Sequence, residues 1–290
     1  MEAKVEQEKK LGAFEKRIHE IDFLRGFLIL IVVIDHLFYN LGVYGGKWGI
    51  DWMYGFFRMF YWFGAPRKII QPVALMAFCF LSGVSSSFSR NNWKRALQMV
   101  AFWLIIALGG FILTLLIDNN VITFLSGSLR VDLNIIGVLA LSTLLYCIVE
   151  RRSYKALIAS ILIGFLLCSY FIPALMNGLS NICGVINPDR ATSMHYYFAN
   201  GLEGVPNFYL PLFWEPLNQS DYVPLFPYVL FFFGGALLSY FVYRNKKQSI
   251  IKHKGEWERP FCFMGRHSLI IYLAHMFILS GIFMLIDIIV

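Results

Sequence analysis

A chain of 290 residues that is 58% apolar, 17% aromatic and only 15% charged, with a mean hydropathy of +0.62, lies outside the range of soluble globular domains and reads as an integral membrane protein. Its formal net charge of +7 would point to nucleic acid in a soluble protein. Here the basic residues sit in short loops between apolar runs, as membrane orientation requires, so a nucleic-acid partner is not expected. The five cysteines are scattered without a CxxC or Cys/His spacing, and no metal site is expected from them.

In chain order, residues 1–20 form a polar, mixed-charge cytoplasmic lead-in. The stretch Arg17 to Asn40, RIHEIDFLRGFLILIVVIDHLFYN, then carries Asp22, Arg25, Asp35 and His36 inside an otherwise apolar run. No small-residue cleavage pattern follows it, so it reads as a first helix and not as a removable leader. Seven runs are long enough to cross a bilayer, roughly 22–41, 70–89, 96–117, 133–149, 155–174, 223–243 and 267–289. Residues 48–64 are aromatic but contain Asp51 and Arg58. They read as an interfacial or re-entrant helix, because an eighth crossing there would invert every later loop against the charge rule. With the N-terminus inside, 18 Lys and Arg fall in inside segments and 6 outside, Arg25 apart. The expectation is a single all-α domain over residues 1–290, a polytopic bundle in the plasma membrane with its N-terminus in the cytoplasm and its C-terminus outside. Homo-oligomerisation is left open.

Positions 22, 25, 29, 32 and 36 fall on one helical stripe, and Arg25 to His36 spans about three turns, roughly 16 Å. Ionisable groups at such depth face a bundle interior or a wet cavity, so the stripe is read as functional. His36 is the sharpest candidate, as a base at depth or as an acyl carrier. Asp35 points roughly 100° away from it and suits a tether to another helix, although it is kept in the catalytic set. Arg25, with Asp22 at i−3, is either an interfacial pair or a contact for donor phosphates. In the last helix His275 shares a face with Ser268 and Tyr272, at a depth comparable to that of His36. Two such histidines are readable as a catalytic pair or as haem ligands. Arg266 after Gly265 and before Ser268 opens that helix, where free N–H groups favour anions. Ser82 beside Gly83 is primarily a close-packing position and secondarily a donor contact. The loop 175–222 mixes aromatics with amides and carboxylates, among them Glu203, Trp214 and Asp221, a composition suited to a glycan. There is no GxSxG elbow, Walker loop or HExxH, and no internal repeat of the kind that builds two-half transporters.

Four stretches together, RIHEIDFLRGFLILIVVIDH, FLSGVSSSFSR, DYVPLFPYVLFFFGGALL and GRHSLIIYLAHMFIL, resemble the compact bacterial branch of transmembrane acyltransferases related to heparan-alpha-glucosaminide N-acetyltransferase. The opening also resembles the acyltransferase-3 membrane proteins, whose arginine, ten residues and histidine are met by Arg25 and His36. The resemblance implies transfer of an acyl group, typically acetyl, from cytoplasmic acetyl-CoA to a carbohydrate on the far side. It gives His36 the catalytic role and places Asp22 and Arg25 on the donor path. It further implies that Asp221 and His275 lie near the same cavity. It also implies a histidine before the fourth helix, where this chain has Asn134 in VDLNIIG. A transporter or flippase using the same polar cavity is the second reading.

Overall fold

A computed structural model describes residues 18–89, 91–119, 134–150, 154–166, 223, 225–243 and 255–289. Among the described residues every regular element is helical: α1 (His19–Lys47), a turn of helix at Asp51–Met53 running into a π-helix at Tyr54–Trp62, α2 (Ala65–Ser86), α3 (Asn92–Asp118), α4 (Ile135–Glu150), α5 (Tyr154–Leu166), α6 (Leu225–Tyr243), a 3-10 turn at Glu256–Glu258, α7 (Arg259–Arg266) and α8 (Ser268–Ile289). Three of them are long and apolar enough to cross a membrane, over Ile69–Ser86, Asn92–Leu116 and Ser268–Ile289. The runs expected near 133–149, 155–174 and 223–243 appear as shorter apolar helices, Ile135–Val149, Tyr154–Gly164 and Pro227–Tyr243. α1 has 29 residues, about 43 Å of rise, but includes Glu20, Asp22, Arg25, Asp35 and Lys47. The loop 175–222 lies outside the described residues, as do Glu203, Trp214 and Asp221.

The chain divides into two compact units, residues 1–81 with 242–290, and residues 82–241. In the first unit α1 is the central element, and α7 with α8 runs parallel to it in constant register. His19 meets Glu258 and Trp48 meets Asp287, each 239 residues apart, and His36 faces His275 at the same offset. Glycine makes this contact possible. A Cβ added at Gly26 would overlap the Phe261 carbonyl, and one at Gly265 would overlap the Asp22 carbonyl. The two helix backbones therefore touch, as small residues permit between membrane helices. At the other end, Tyr44 stacks on Phe283 with centroids 5.2 Å apart, and Trp48 Nε1 donates to Asp287 Oδ1 at 3.0 Å beside a Lys47–Asp287 ion pair.

The end of α1 is closed by a left-handed glycine, Gly49 at φ 69°. Ile50 N–H bonds the Gly45 carbonyl at 2.8 Å and Gly49 N–H bonds that of Gly46 at 3.4 Å, the paired bonds of a Schellman stop. The reversal lays the π-helix back along α1. Gly42 admits the backbone of Arg58, where a Cβ would come within 2.8 Å of the Arg58 nitrogen, and Gly45 admits Met53 in the turn before it, whose Cβ would lie 2.6 Å away.

In the second unit the buried residues of α4 and α6 form the core, with Val138, Ala140, Thr143 and Phe232 fully buried. Gly83 lies against the Phe232 carbonyl, where a Cβ would not fit. Asn134 is the N-cap of α4. Its Oδ1 accepts from Gly137 N–H at 3.1 Å and its carbonyl accepts from Val138 N–H at 2.9 Å, which gives a physical role to an asparagine where the resemblance implies a histidine.

Candidate active site

His36 and His275 face each other across the α1–α8 contact with ring centroids 4.7 Å apart at 74°. His36 Nδ1 lies 2.9 Å from the Val32 carbonyl. His275 Nδ1 lies 2.6 Å from the Tyr272 carbonyl and 3.2 Å from that of Ile271. A carbonyl oxygen only accepts, so in each neutral imidazole the proton sits on Nδ1 and Nε2 remains an acceptor. Among the described residues the buried His275 Nε2 has no hydrogen-bond partner. Two basic nitrogens thus sit together on the inner face of a helix pair, each held in one tautomer by its own helix. An iron held between axial imidazoles needs centroids about 6 Å apart, two bonds of about 2.0 Å plus the ring radii. The observed approach is too close for haem and removes that reading.

Asp35 turns away from this pair, as its angular position on the helix implies. Tyr61 Oη donates to Asp35 Oδ1 at 2.9 Å, and Arg67 Nε reaches both carboxylate oxygens at 3.2 and 3.3 Å. Arg67 in turn lies 3.5 Å over the Trp62 ring. Burial first, and then the adjacent carboxylate, push the Tyr61 phenol well above its ordinary range, so it stays a donor at physiological pH. Asp35 therefore ties α1 to the π-helix and the start of α2, and makes no contact with either imidazole. Its partners were not legible in the sequence, because Tyr61 comes from a π-helix that leaves no 3.6-residue pattern and Arg67 from the start of the next helix.

The candidates for donor binding divide. The glycine contact between α1 and α7 brings the segment Asp22–Gly26 against Phe261–Gly265. Arg25 and Arg266 are the immediate neighbours of the two touching glycines, and Ser268 opens α8 two residues later. Arg266 Nε donates to its own helix at the Cys262 carbonyl, 3.0 Å away. Ser82 belongs to the second unit. It is buried, and its carbonyl accepts from Ser86 Oγ at 2.9 Å. One cluster escaped the sequence reading: His19 Nε2 bonds Glu258 Oε2 at 2.5 Å, with Cys262 Sγ 3.5 Å from His19 Nδ1. The 239-residue separation of His19 and Glu258 hides it from any local motif.

A family model described as "Heparan-alpha-glucosaminide N-acetyltransferase, catalytic" matches residues 17–277. The chain belongs to that family. The match to the heparan-alpha-glucosaminide N-acetyltransferase family begins just before α1 and takes in both His36 and His275. Membership implies transferase chemistry, here on a helical scaffold with apolar helices able to enter a membrane. No curated protein and no solved structure matches the chain.

Proposed function

We propose that the protein is a membrane-embedded acyltransferase that moves an acetyl group from acetyl-CoA on one face of the membrane to a carbohydrate on the other, with the His36–His275 pair as its proton-handling centre. The observation that supports this most is the ring pair itself, because both Nε2 atoms are left as bases by Nδ1–H bonds to backbone carbonyls. Nε2 takes the proton from the acceptor hydroxyl or amine as that atom attacks the acyl carbonyl carbon. The carbon–sulfur bond then breaks, and the leaving thiolate takes a proton back from the imidazolium. Direct transfer and transfer through an acyl-histidine both use the same pair.

In this reading Asp22, Arg25, Arg266 and Ser268 lie at the donor end, where the paired glycines bring two cationic residues to one place. From Arg25 to His36 the helix rises about 16 Å, a span suited to a long flexible donor arm between a phosphate anchor and the reacting thioester. Glu203, Trp214 and Asp221 belong to the acceptor side. Seven crossings, with a cytoplasmic N-terminus, put the donor end of α1 inside. Acetyl-CoA should raise the thermal stability of the purified protein, and Arg25→Glu should weaken that effect by about tenfold or more in apparent Kd while the protein stays folded, since a charge-assisted contact becomes repulsive. Absence of any stabilisation by acetyl-CoA would remove the donor assignment.

A further inference from the structure

Arg58, on the π-helix, is a cation whose counter-charge the described part of the protein does not supply. Its guanidinium carbon lies 5.2 Å over the Tyr39 ring and 5.0 Å over the Phe63 ring. Its Nη1 is buried with no hydrogen-bond partner. The nearby Arg67 is satisfied by Asp35, whereas among the described residues no carboxylate lies within ion-pair reach of Arg58. Two rings hold a guanidinium but do not replace an anion, and a desolvated donor left unmatched is costly.

The position of Arg58 is set by its contacts with α1, one turn beyond His36. Gly42 admits its backbone against α1. Tyr39, which its guanidinium covers, is three residues beyond His36, about 4.5 Å along the axis. The π-helix that carries it exposes Met59 and Phe60, and Phe63 just after it is exposed as well. The surroundings of Arg58 on that side are therefore apolar. In a membrane the anion that reaches a guanidinium through such a rim is a phosphate carried on a lipid.

We propose that Arg58, between Tyr39 and Phe63, is the docking site for a lipid-borne phosphate, and that the acyl acceptor is presented to the histidine pair on such a lipid phosphate. The site is independent of the acyltransferase reading; its role in acceptor binding rests on that reading.

The test uses the full chain in detergent and in vesicles. Native mass spectrometry measures binding of two probes, a polyprenyl-phosphoglucosamine and phosphatidylglycerol, to the wild type, Arg58→Gln and Arg58→Lys. Acetyl transfer from acetyl-CoA is followed on the polyprenyl-phosphoglucosamine and on free glucosamine. The wild type should bind the lipid-linked sugar and acetylate it in preference to the free sugar. Arg58→Gln should lose about 10- to 100-fold in affinity and should lose the preference, with transfer to free glucosamine unchanged. Arg58→Lys, which keeps the charge, should recover part of both and shows that the loss is not misfolding. Equal binding of the lipid-linked sugar by wild type and Arg58→Gln overturns the site. Arg58-dependent binding of phosphatidylglycerol with no preference for the lipid-linked sugar overturns the acceptor role and leaves a bulk-lipid site. Arg58-dependent binding without acetyl transfer to either sugar counts against the acyltransferase reading while the phosphate site stands.

Discussion

Asp35 shows how much one residue's neighbours decide. Its carboxylate is held by Tyr61 and Arg67 and lies away from the imidazoles, so its removal should act on stability first. Asp35→Asn leaves the mostly buried Arg67 without its counter-charge and should lower stability by about 2–4 kcal/mol. Tyr61→Phe removes one neutral donor to a carboxylate and should cost about 1–3 kcal/mol. Thermal melts in one detergent check both. A large loss of transfer by folded Asp35→Asn, with its melting temperature unchanged, would return Asp35 to the chemistry. The angle between Asp35 and His36 was readable from helical periodicity. Its partners were not, because Tyr61 sits in a π-helix and Arg67 just beyond it, where residue spacing does not announce which side chains face α1. The depth match of His36 and His275 was likewise readable from counting residues along two helices. Their ring contact depends on a helix pairing that no local pattern encodes.

At the scale of elements, the first unit is organised by the parallel contact of α1 with α7 and α8. The glycines where α1 begins and the Tyr44–Phe283 stack at its other end set the register in which the histidines meet. Gly26→Ala and Gly265→Ala should each force the two backbones apart, because the added Cβ meets a backbone carbonyl that has no flexible end to move. Each should cost about 1–3 kcal/mol and weaken stabilisation by acetyl-CoA, since Arg25 and Arg266 adjoin the contact. Gly281→Ala is the control, because a Cβ there meets nothing. Equal melting temperatures for all three variants would show that the close contact does not form. The glycines were visible in the sequence as part of familiar-looking motifs, but Gly26 and Gly265 stand 239 residues apart. Only the folded chain shows that they answer each other.

For the whole molecule, α1 and α8 run in the same direction, so the start of α1 and the end of α8 lie at opposite ends of the first unit. The odd number of crossings proposed from the apolar run lengths requires two such helices to run in this direction. A tag after Val290 should be reachable from outside intact cells and one before Met1 should not; accessibility of both or of neither would contradict that topology. The membrane character followed from composition and the helical class from the lengths of the apolar runs, whereas the division into two compact units had no composition shift to mark it. Acyl transfer by the histidine pair is tested by measuring acetyl transfer by His36→Asn and His275→Asn in reconstituted vesicles, alongside acetyl-CoA binding. Asparagine keeps some hydrogen bonding but cannot take a proton at neutral pH. Each substitution should lower turnover by about 10²- to 10⁴-fold while acetyl-CoA binding stays within about threefold of wild type, because the pair lies about ten residues from the proposed donor anchor. Near-full transfer by folded His36→Asn would contradict that role for the pair.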